Sequence, residues 1–187
     1  MRYPPEHKIQ ARRQLLKAGA ALAKQQGFAN TGMDALTAAA GVTTGAFYTQ
    51  FTSKADFLHA IIEQELTQVV ANFAHKTPQE LQQVLSMYLS VWHVQHPEKG
   101  CPIPALGAEI GRADERSKTE FEQHLDSLME IIHAAVGNRE QAWALLAQAV
   151  GAIVLARAVA DPAKQHEIVQ SVLQHSLSLM SSAEHLS

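Results

Sequence analysis

Residues 27–54, GFANTGMDALTAAAGVTTGAFYTQFTSK, decide how the chain folds. Their apolar spacing predicts a two-turn helix over residues 33–40 that ends at Gly41, followed by a second short helix. Thr31 is the predicted amino-terminal cap of the first of these helices, and Thr43 is the predicted cap of the second. A helix, a glycine turn and a short capped helix have the spacing of a helix-turn-helix.

The rest of the chain also has helical periodicity. Helices are predicted over residues 5–26, 54–75 (capped by Ser53), 78–95 (starting at Pro78), 103–112, 116–136, 139–160 and 162–180 (capped by Asp161), with a loop at 96–102. Gly19 lies inside the first of them, where glycine costs about 1 kcal/mol, and we expect it to allow a close helix contact. No alternating segment of strand length stands out. We therefore predict an all-α fold of about nine helices.

Length and composition exclude several classes of protein. With 187 residues, of which 47% are hydrophobic and 18% charged, the chain has a globular composition and not a disordered one. Its single cysteine, Cys101, excludes an intrachain disulfide and a cysteine zinc cluster, which favours a reducing compartment. Residues 1–8 contain no apolar signal region, and residues 143–160 are too weakly apolar for a membrane span. We expect a cytoplasmic protein.

Charge is distributed unevenly along the chain. Residues 1–54 contain seven basic and two acidic residues, whereas residues 55–187 contain eight basic and sixteen acidic residues. The formal net charge of -3 therefore combines a basic amino-terminal region with an acidic body. A basic region of this kind fits either a phosphate-backbone partner or an ordinary solvated helix face.

The motif residues of the helix-turn-helix segment resemble the DNA-binding domain of the TetR family of bacterial transcriptional regulators. They are Gly27-Phe28, Thr31, Ala40-Gly41-Val42-Thr43, Gly45, Tyr48, Phe51 and Ser53-Lys54. Gly32 and Thr37 depart from the usual pattern of the family. The resemblance implies a three-helix DNA-binding domain at residues 1–53 and a larger effector-binding and dimerisation domain at residues 54–187. It also implies a homodimer that binds a palindromic operator, most often as a repressor, and that is released by a small-molecule effector. Such a protein is a regulator and not an enzyme.

A recognition helix in the major groove would divide its contacts between phosphates and bases. The side chains expected at phosphates are Thr31, Thr43, Tyr48, Gln50 and Lys54, and those expected at base edges are Thr44, Ala46 and Thr49. Gly45 carries no side chain and would let the helix approach the groove closely.

The body offers two further sets of candidate residues, each of which could instead be plain core. The expected dimer interface consists of Ala147, Val150, Gly151, Val154 and Leu155 on one helix and Ile168, Val172, Leu173 and Leu177 on the next. The expected effector cavity is lined by Met87, Trp92, His93, Phe121, Leu125, Met129 and His133.

Cys101 supports an alternative function, because it precedes a predicted helix whose amide dipoles can lower the pKa of a thiol. It could serve as a redox or electrophile sensor in a regulator of this type, or as the nucleophile of a helical enzyme. A helical adaptor with an acidic partner is a third possibility. The ten histidines are scattered without a metal-binding signature, and we expect neither a metal nor another cofactor.

Overall fold

A computed structural model describes residues 5–184 of the chain, with side chains for residues 8–181. Its helices are α1 (Pro5–Gln26), α2 (Met33–Ala39), α3 (Thr44–Tyr48), α4 (Lys54–Phe73), α5 (Pro78–Tyr88), α6 (Val91–Gln95), a 3₁₀ helix (Pro97–Lys99), α7 (Ile103–Ile110), α8 (Glu115–Val136), α9 (Arg139–Ala158) and α10 (Pro162–Glu184). All secondary structure within the described range is helical, which confirms the predicted all-α class. Residues 1–4, on which part of the signal-segment prediction rests, lie outside it.

The amino-terminal core is built around aromatic rings. Phe47, Phe51 and Phe57 are at most 2% exposed, and their ring centroids lie 4.7 to 5.3 Å apart. Gly19 of α1 faces this cluster, because a Cβ at that position would collide with the ring of Phe57. The predicted close contact at Gly19 is therefore confirmed, and its partner is α4.

The helix starts follow the sequence signals at most positions. Thr43 and Ser53 accept hydrogen bonds from the backbone of α3 and α4, as predicted. The predicted cap at Thr31 is wrong, because Gly32 occupies the cap position of α2 and makes no side-chain hydrogen bond. The Thr31 side chain points into the core, where it is 1% exposed, and its hydroxyl donates to the Gly27 carbonyl.

The helix predicted over residues 78–95 is interrupted in the structure. α5 ends at Tyr88 and α6 begins at Val91, and Ser90 caps α6 by accepting a hydrogen bond from the His93 amide. The Ser90 hydroxyl also donates to the Met87 carbonyl. These local hydrogen bonds compete with a continuous helix, and apolar periodicity does not reveal them.

The carboxy-terminal helices form a second core. Its largest fully buried members are Leu89, Met129, Ile153 and Val169. α9 contacts α6, α7, α8 and α10, and it buries Ala142 and Ala156. By length and composition alone, α9 is also the one helix within the described residues that is long and apolar enough for a membrane span, which corrects the expectation that residues 143–160 are too weakly apolar. The packing of α9 against four helices buries one face of this apolar helix.

Packing continues across the predicted boundary between residues 53 and 54. Leu106 of α7 belongs to the same hydrophobic cluster as Phe47 and the first turns of α4. The carboxylate of Glu109, also on α7, accepts hydrogen bonds from the amides of Phe28 and Ala29, both at 2.7 Å. The division into a DNA-binding domain and a body stays a prediction, and α7 fastens the two regions together.

Candidate nucleic-acid interface and body cavity

α3 is held rigidly despite having only five residues. The Ala46 amide donates to the Thr43 hydroxyl at 3.2 Å and closes the first turn. On the inner face, Phe47 is fully buried, and its ring contacts those of Phe51 and Phe57. The inner face therefore fixes the orientation of the outer face.

The outer face of α3 is open to solvent. Tyr48 is 59% exposed, and Thr44 and Thr49 are also exposed. At Gly45 the nearest atom to a built Cβ is the Thr43 hydroxyl, at 3.9 Å. The face thus presents hydroxyl groups around a point without a side chain, which suits close approach to a polar surface such as a DNA groove.

Two basic residues flank α3. Lys54 donates to the Ala29 carbonyl at 3.1 Å, so the ammonium expected at DNA also ties α4 to the turn before α2. Arg12 donates to the Gln50 carbonyl at 3.2 Å, and its guanidinium lies 4.4 Å from the Phe51 ring centroid. Sequence analysis missed Arg12, because only the fold brings α1 beside the end of α3.

Thr31 does not belong to this exposed face. Its hydroxyl is buried and donates to the Gly27 carbonyl at 2.7 Å. In this structure the hydroxyl is therefore unavailable to a phosphate. The other predicted side chains, from Thr43 to Lys54, lie on or beside α3.

The body contains a cavity of about 650 Å³. Side chains from α4 to α10, together with Lys24 of α1, line it, and most of them are apolar, including Phe73, Leu85 and Leu146. Its charged lining residues are Lys24, Glu65, Lys76, Glu98 and Lys99. A cavity of this size and composition fits a small organic ligand.

Three of the seven residues predicted for an effector cavity line it: Met87, Trp92 and His93. The lining does not include Phe121, Leu125, Met129 or His133. On α8 the lining residues are Leu128, Ile132, Ala135 and Val136, which form a neighbouring stripe. Both stripes have helical spacing, so the sequence alone does not tell which one faces a cavity.

His93 anchors the wall of the cavity. Its Nδ1 lies 2.7 Å from the Tyr88 carbonyl, and its Nε2 accepts from the Cys101 amide at 3.1 Å. This pattern requires the neutral ring with its proton on Nδ1, and burial lowers the pKa of His93 accordingly. A Cβ at Gly100 would collide with the ring. Both ring nitrogens are hydrogen-bonded to backbone, so His93 holds the cavity wall together and has no ring nitrogen left for a ligand.

Residues 15–61 match the family model described as "Bacterial regulatory proteins, tetR family". This range contains α2, α3 and the aromatic core that holds them. The amino-terminal region of the chain is therefore a TetR-family domain. No curated protein sequence matches the chain.

Solved structures extend the likeness beyond the TetR-family amino-terminal domain. A TetR transcriptional regulator from Chloroflexus aurantiacus superposes with a TM-score of 0.76 at 21% identity, covering 94% of this chain and 95% of that one. E. coli NemR, in its reduced form, gives 0.70 at 23% identity, covering 90% and 97%. Bacillus subtilis FadR, in complex with stearoyl-CoA, gives 0.65 at 14% identity, covering 91% and 98%. At these identities the likeness shows the fold alone, which these structures share over at least 90% of the chain.

Cys101 lies in the cavity wall of the body. Burial raises the pKa of the Cys101 thiol to about 11, which outweighs the backbone hydrogen bond from Ile103. The expectation that the helix start lowers this pKa is therefore wrong, because desolvation is the larger effect. The hydroxyl of Tyr88 interacts with the Cys101 thiol, and burial raises the pKa of Tyr88 as well.

An apolar face remains uncovered on α9 and α10. Val154 is 45% exposed and Leu155 61%, and Trp143, which sequence analysis missed, is 41% exposed at the same helical spacing. Ala147 is exposed, whereas Val150, Gly151, Ile168, Val172 and Leu177 are half-buried. Leu173 is a correction to the predicted interface: it is 7% exposed and belongs to the internal core. The remaining predicted interface residues lie at the surface or its margin.

Proposed function

We propose that the chain is a ligand-responsive transcriptional repressor that binds a palindromic DNA operator as a homodimer and is released by a small-molecule effector. The observation that carries the proposal is α3, a capped helix with a fixed aromatic inner face and an open outer face. Its placement within the segment matched to the tetR family supports the same function.

In the proposed complex, α3 enters the major groove. Thr44, Ala46 and Thr49 read base edges, and Ala46 can contact a thymine methyl group. Thr43, Tyr48, Gln50 and Lys54 then contact phosphates on either side of the helix. Gly45 provides the closest approach, because no side chain stands between its backbone and the groove. Arg12, beside the end of α3, adds a further cation.

The α9 and α10 face is proposed as the homodimer interface. One short helix reads only a few base pairs, so useful specificity requires two copies about one DNA turn apart. Exposed apolar residues grouped on one face mark protein interfaces, and α9 exposes Trp143, Val154 and Leu155. Gly151 leaves open space on this face, where a partner helix can approach.

The cavity is proposed as the effector site. Its volume of about 650 Å³ and its mainly apolar lining suit a small organic molecule. FadR of Bacillus subtilis, which shares the fold, was solved with stearoyl-CoA bound. The raised pKa of Cys101 favours a reversibly bound effector over a thiolate sensor, because the thiolate is the reactive form.

The DNA-binding proposal is tested by selection from a random duplex pool, followed by fluorescence anisotropy with the recovered sequence. We expect a palindrome whose binding weakens steeply as salt rises, because cations released from phosphates drive binding. Tyr48→Ala should lower affinity about tenfold or more, whereas Ala163→Ser, at an exposed site on α10, should not. Recovery of no common sequence would overturn the proposal.

The dimer proposal has a separate test in sedimentation velocity. Leu155→Glu places a charge at the most exposed apolar residue of this face and should yield monomers that lose operator binding. Ala163→Glu adds the same charge in the first turn of α10 and should remain dimeric. A Leu155→Glu protein that stays dimeric would place the interface elsewhere.

A further inference from the structure

The cavity touches the amino-terminal three helices at a single residue within the described range. Lys24, in the last turn of α1, is the only lining residue that precedes α4. Every other lining residue belongs to the body or to α4. Any direct effect of a bound molecule on α1 therefore acts through Lys24.

The Lys24 ammonium joins three parts of the molecule. It donates to a Glu65 carboxylate oxygen on α4 at 2.6 Å and to the Gly100 carbonyl at 3.0 Å. The Lys24 side chain is 5% exposed, and that of Glu65 is 20% exposed. A buried ammonium needs partners of this kind, because burying it unpaired carries a large desolvation penalty. Lys24 thus holds α1 against α4 and against the loop that follows the 3₁₀ helix.

The charge around the cavity favours an anion. Lys24, Lys76 and Lys99 line it against Glu65 and Glu98, which leaves one more cation than anion. Arg157 lies beside the same wall, where it donates to the carbonyls of His93 and Val94. This excess positive charge would repel a cationic ligand, because the Glu65 carboxylate is already paired with Lys24.

We propose that the effector is an apolar acid whose carboxylate competes with Glu65 for Lys24 and thereby removes the Lys24 link from α1 to α4 and to Gly100. This rests on the proposed function and adds the chemical class of the effector and its route to the DNA-binding helices. The ligand binds the form without the Lys24–Glu65 pair more tightly than the form that has it. This difference in affinity shifts the equilibrium away from the DNA-bound form. A neutral ligand of the same shape fills the cavity but leaves the Lys24–Glu65 pair intact.

The first experiment compares three probes with the same ten-carbon chain: decanoate, decanol and decyltrimethylammonium, all below their micellar concentrations. Calorimetric titration of the full chain should show that decanoate binds about tenfold or more tightly than the other two. Anisotropy should show that decanoate alone releases the selected operator. By reciprocity, bound operator should weaken decanoate binding by the same factor by which decanoate weakens the operator.

Two substitutions at the ion pair should change decanoate binding in opposite directions. Glu65→Gln removes the competing carboxylate with little change in shape, so decanoate should bind several-fold more tightly. Lys24→Met should reduce decanoate affinity to that of decanol and abolish the release of operator. Lys17→Met, at an exposed site two turns earlier on α1, is the matched control and should behave like the wild type.

The outcomes separate this inference from the function on which it rests. Equal binding of all three probes, no binding of decanoate, or unchanged decanoate binding in Glu65→Gln would overturn the apolar-acid proposal, even with operator binding intact. Failure of the ligand-free wild type to bind any selected duplex would instead overturn the proposed function, and calorimetry would still test the cavity. Circular dichroism of Lys24→Met shows whether the variant folds. If it does not, the direction in which Glu65→Gln changes decanoate affinity decides the test.

Discussion

The amino-terminal region and the body use apolar side chains in opposite ways. Behind α3, the rings of Phe47, Phe51 and Phe57 fill their space completely and lie within 5.3 Å of one another. In the body, apolar side chains from seven helices surround about 650 Å³ of space. Protein interiors are normally close-packed, so an open cavity forgoes contacts that a filled core would make. The comparison indicates that one region is built to fix a surface and the other to accept a ligand.

The largest expected effect removes a ring from the filled region. Phe47→Ala should lower the free energy of unfolding by about 3–5 kcal/mol, because it empties a fully buried site between two aromatic neighbours. Met87→Ala, at a cavity-lining residue that is 67% exposed, should change it by about 0.5 kcal/mol or less. Urea unfolding followed by circular dichroism measures both. Similar losses in the two variants would remove the contrast between the regions.

Cys101 gives a chemical measure of burial in the cavity wall. Its pKa of about 11, against an ordinary value of 9.0, leaves about a hundredfold less thiolate near neutral pH. Iodoacetamide should therefore modify the folded chain about a hundredfold more slowly than the urea-unfolded chain. The folded-state rate should rise with pH until the thiol ionises near pH 11. Faster modification of the folded chain would mean that the fold lowers the pKa of Cys101 and would favour the sensor hypothesis.

A matched pair of glycines tests how tightly the two regions are packed. Gly19→Ala should destabilise the fold by about 1–3 kcal/mol, because the added Cβ collides with the Phe57 ring. Gly107→Ala, within α7, meets no atom inside 4 Å and should stabilise the fold by about 0.5–1 kcal/mol. Thermal and urea unfolding should show opposite signs. A stabilising Gly19→Ala would mean that α1 and α4 are not in close contact.

The smallest effect concerns the cap of α3. Thr43→Ala removes the acceptor for the Ala46 amide and should cost about 1 kcal/mol of stability. Thr43→Ser keeps that acceptor and should cost much less. Unfolding free energies compare the two variants, and operator affinity should fall more in the alanine variant. Equal losses would assign the effect to the methyl group and not to the hydrogen bond.

The two regions also differ in how far sequence predicts them. The α3 segment is predictable because its signals are local: Thr43 caps α3, Gly41 follows the end of α2, and Phe47 is buried while the next residue, Tyr48, is exposed. Thr31 was misassigned, because a buried hydroxyl bonded to Gly27 and an exposed cap look alike in sequence.

The body depends on contacts between distant residues, which spacing does not encode. The break between α5 and α6 depends on the hydrogen bonds of Ser90. Which of the two apolar stripes of α8 faces the cavity depends on how α8 packs against α4. Lys24 and Glu65 are 41 positions apart and paired only through the fold. The sequence therefore predicts that the body is helical, but it does not predict where the cavity lies.

The most direct test of the account is an anisotropy comparison of the selected operator with a duplex that contains one half-site. Two copies of α3 on adjacent half-sites should give about a hundredfold tighter binding to the whole site at physiological salt, with half-site centres about 10 base pairs apart. Tyr48→Ala should weaken binding to both duplexes. Equal affinity of the wild type for whole site and half-site would contradict the account of a dimer that reads DNA through α3.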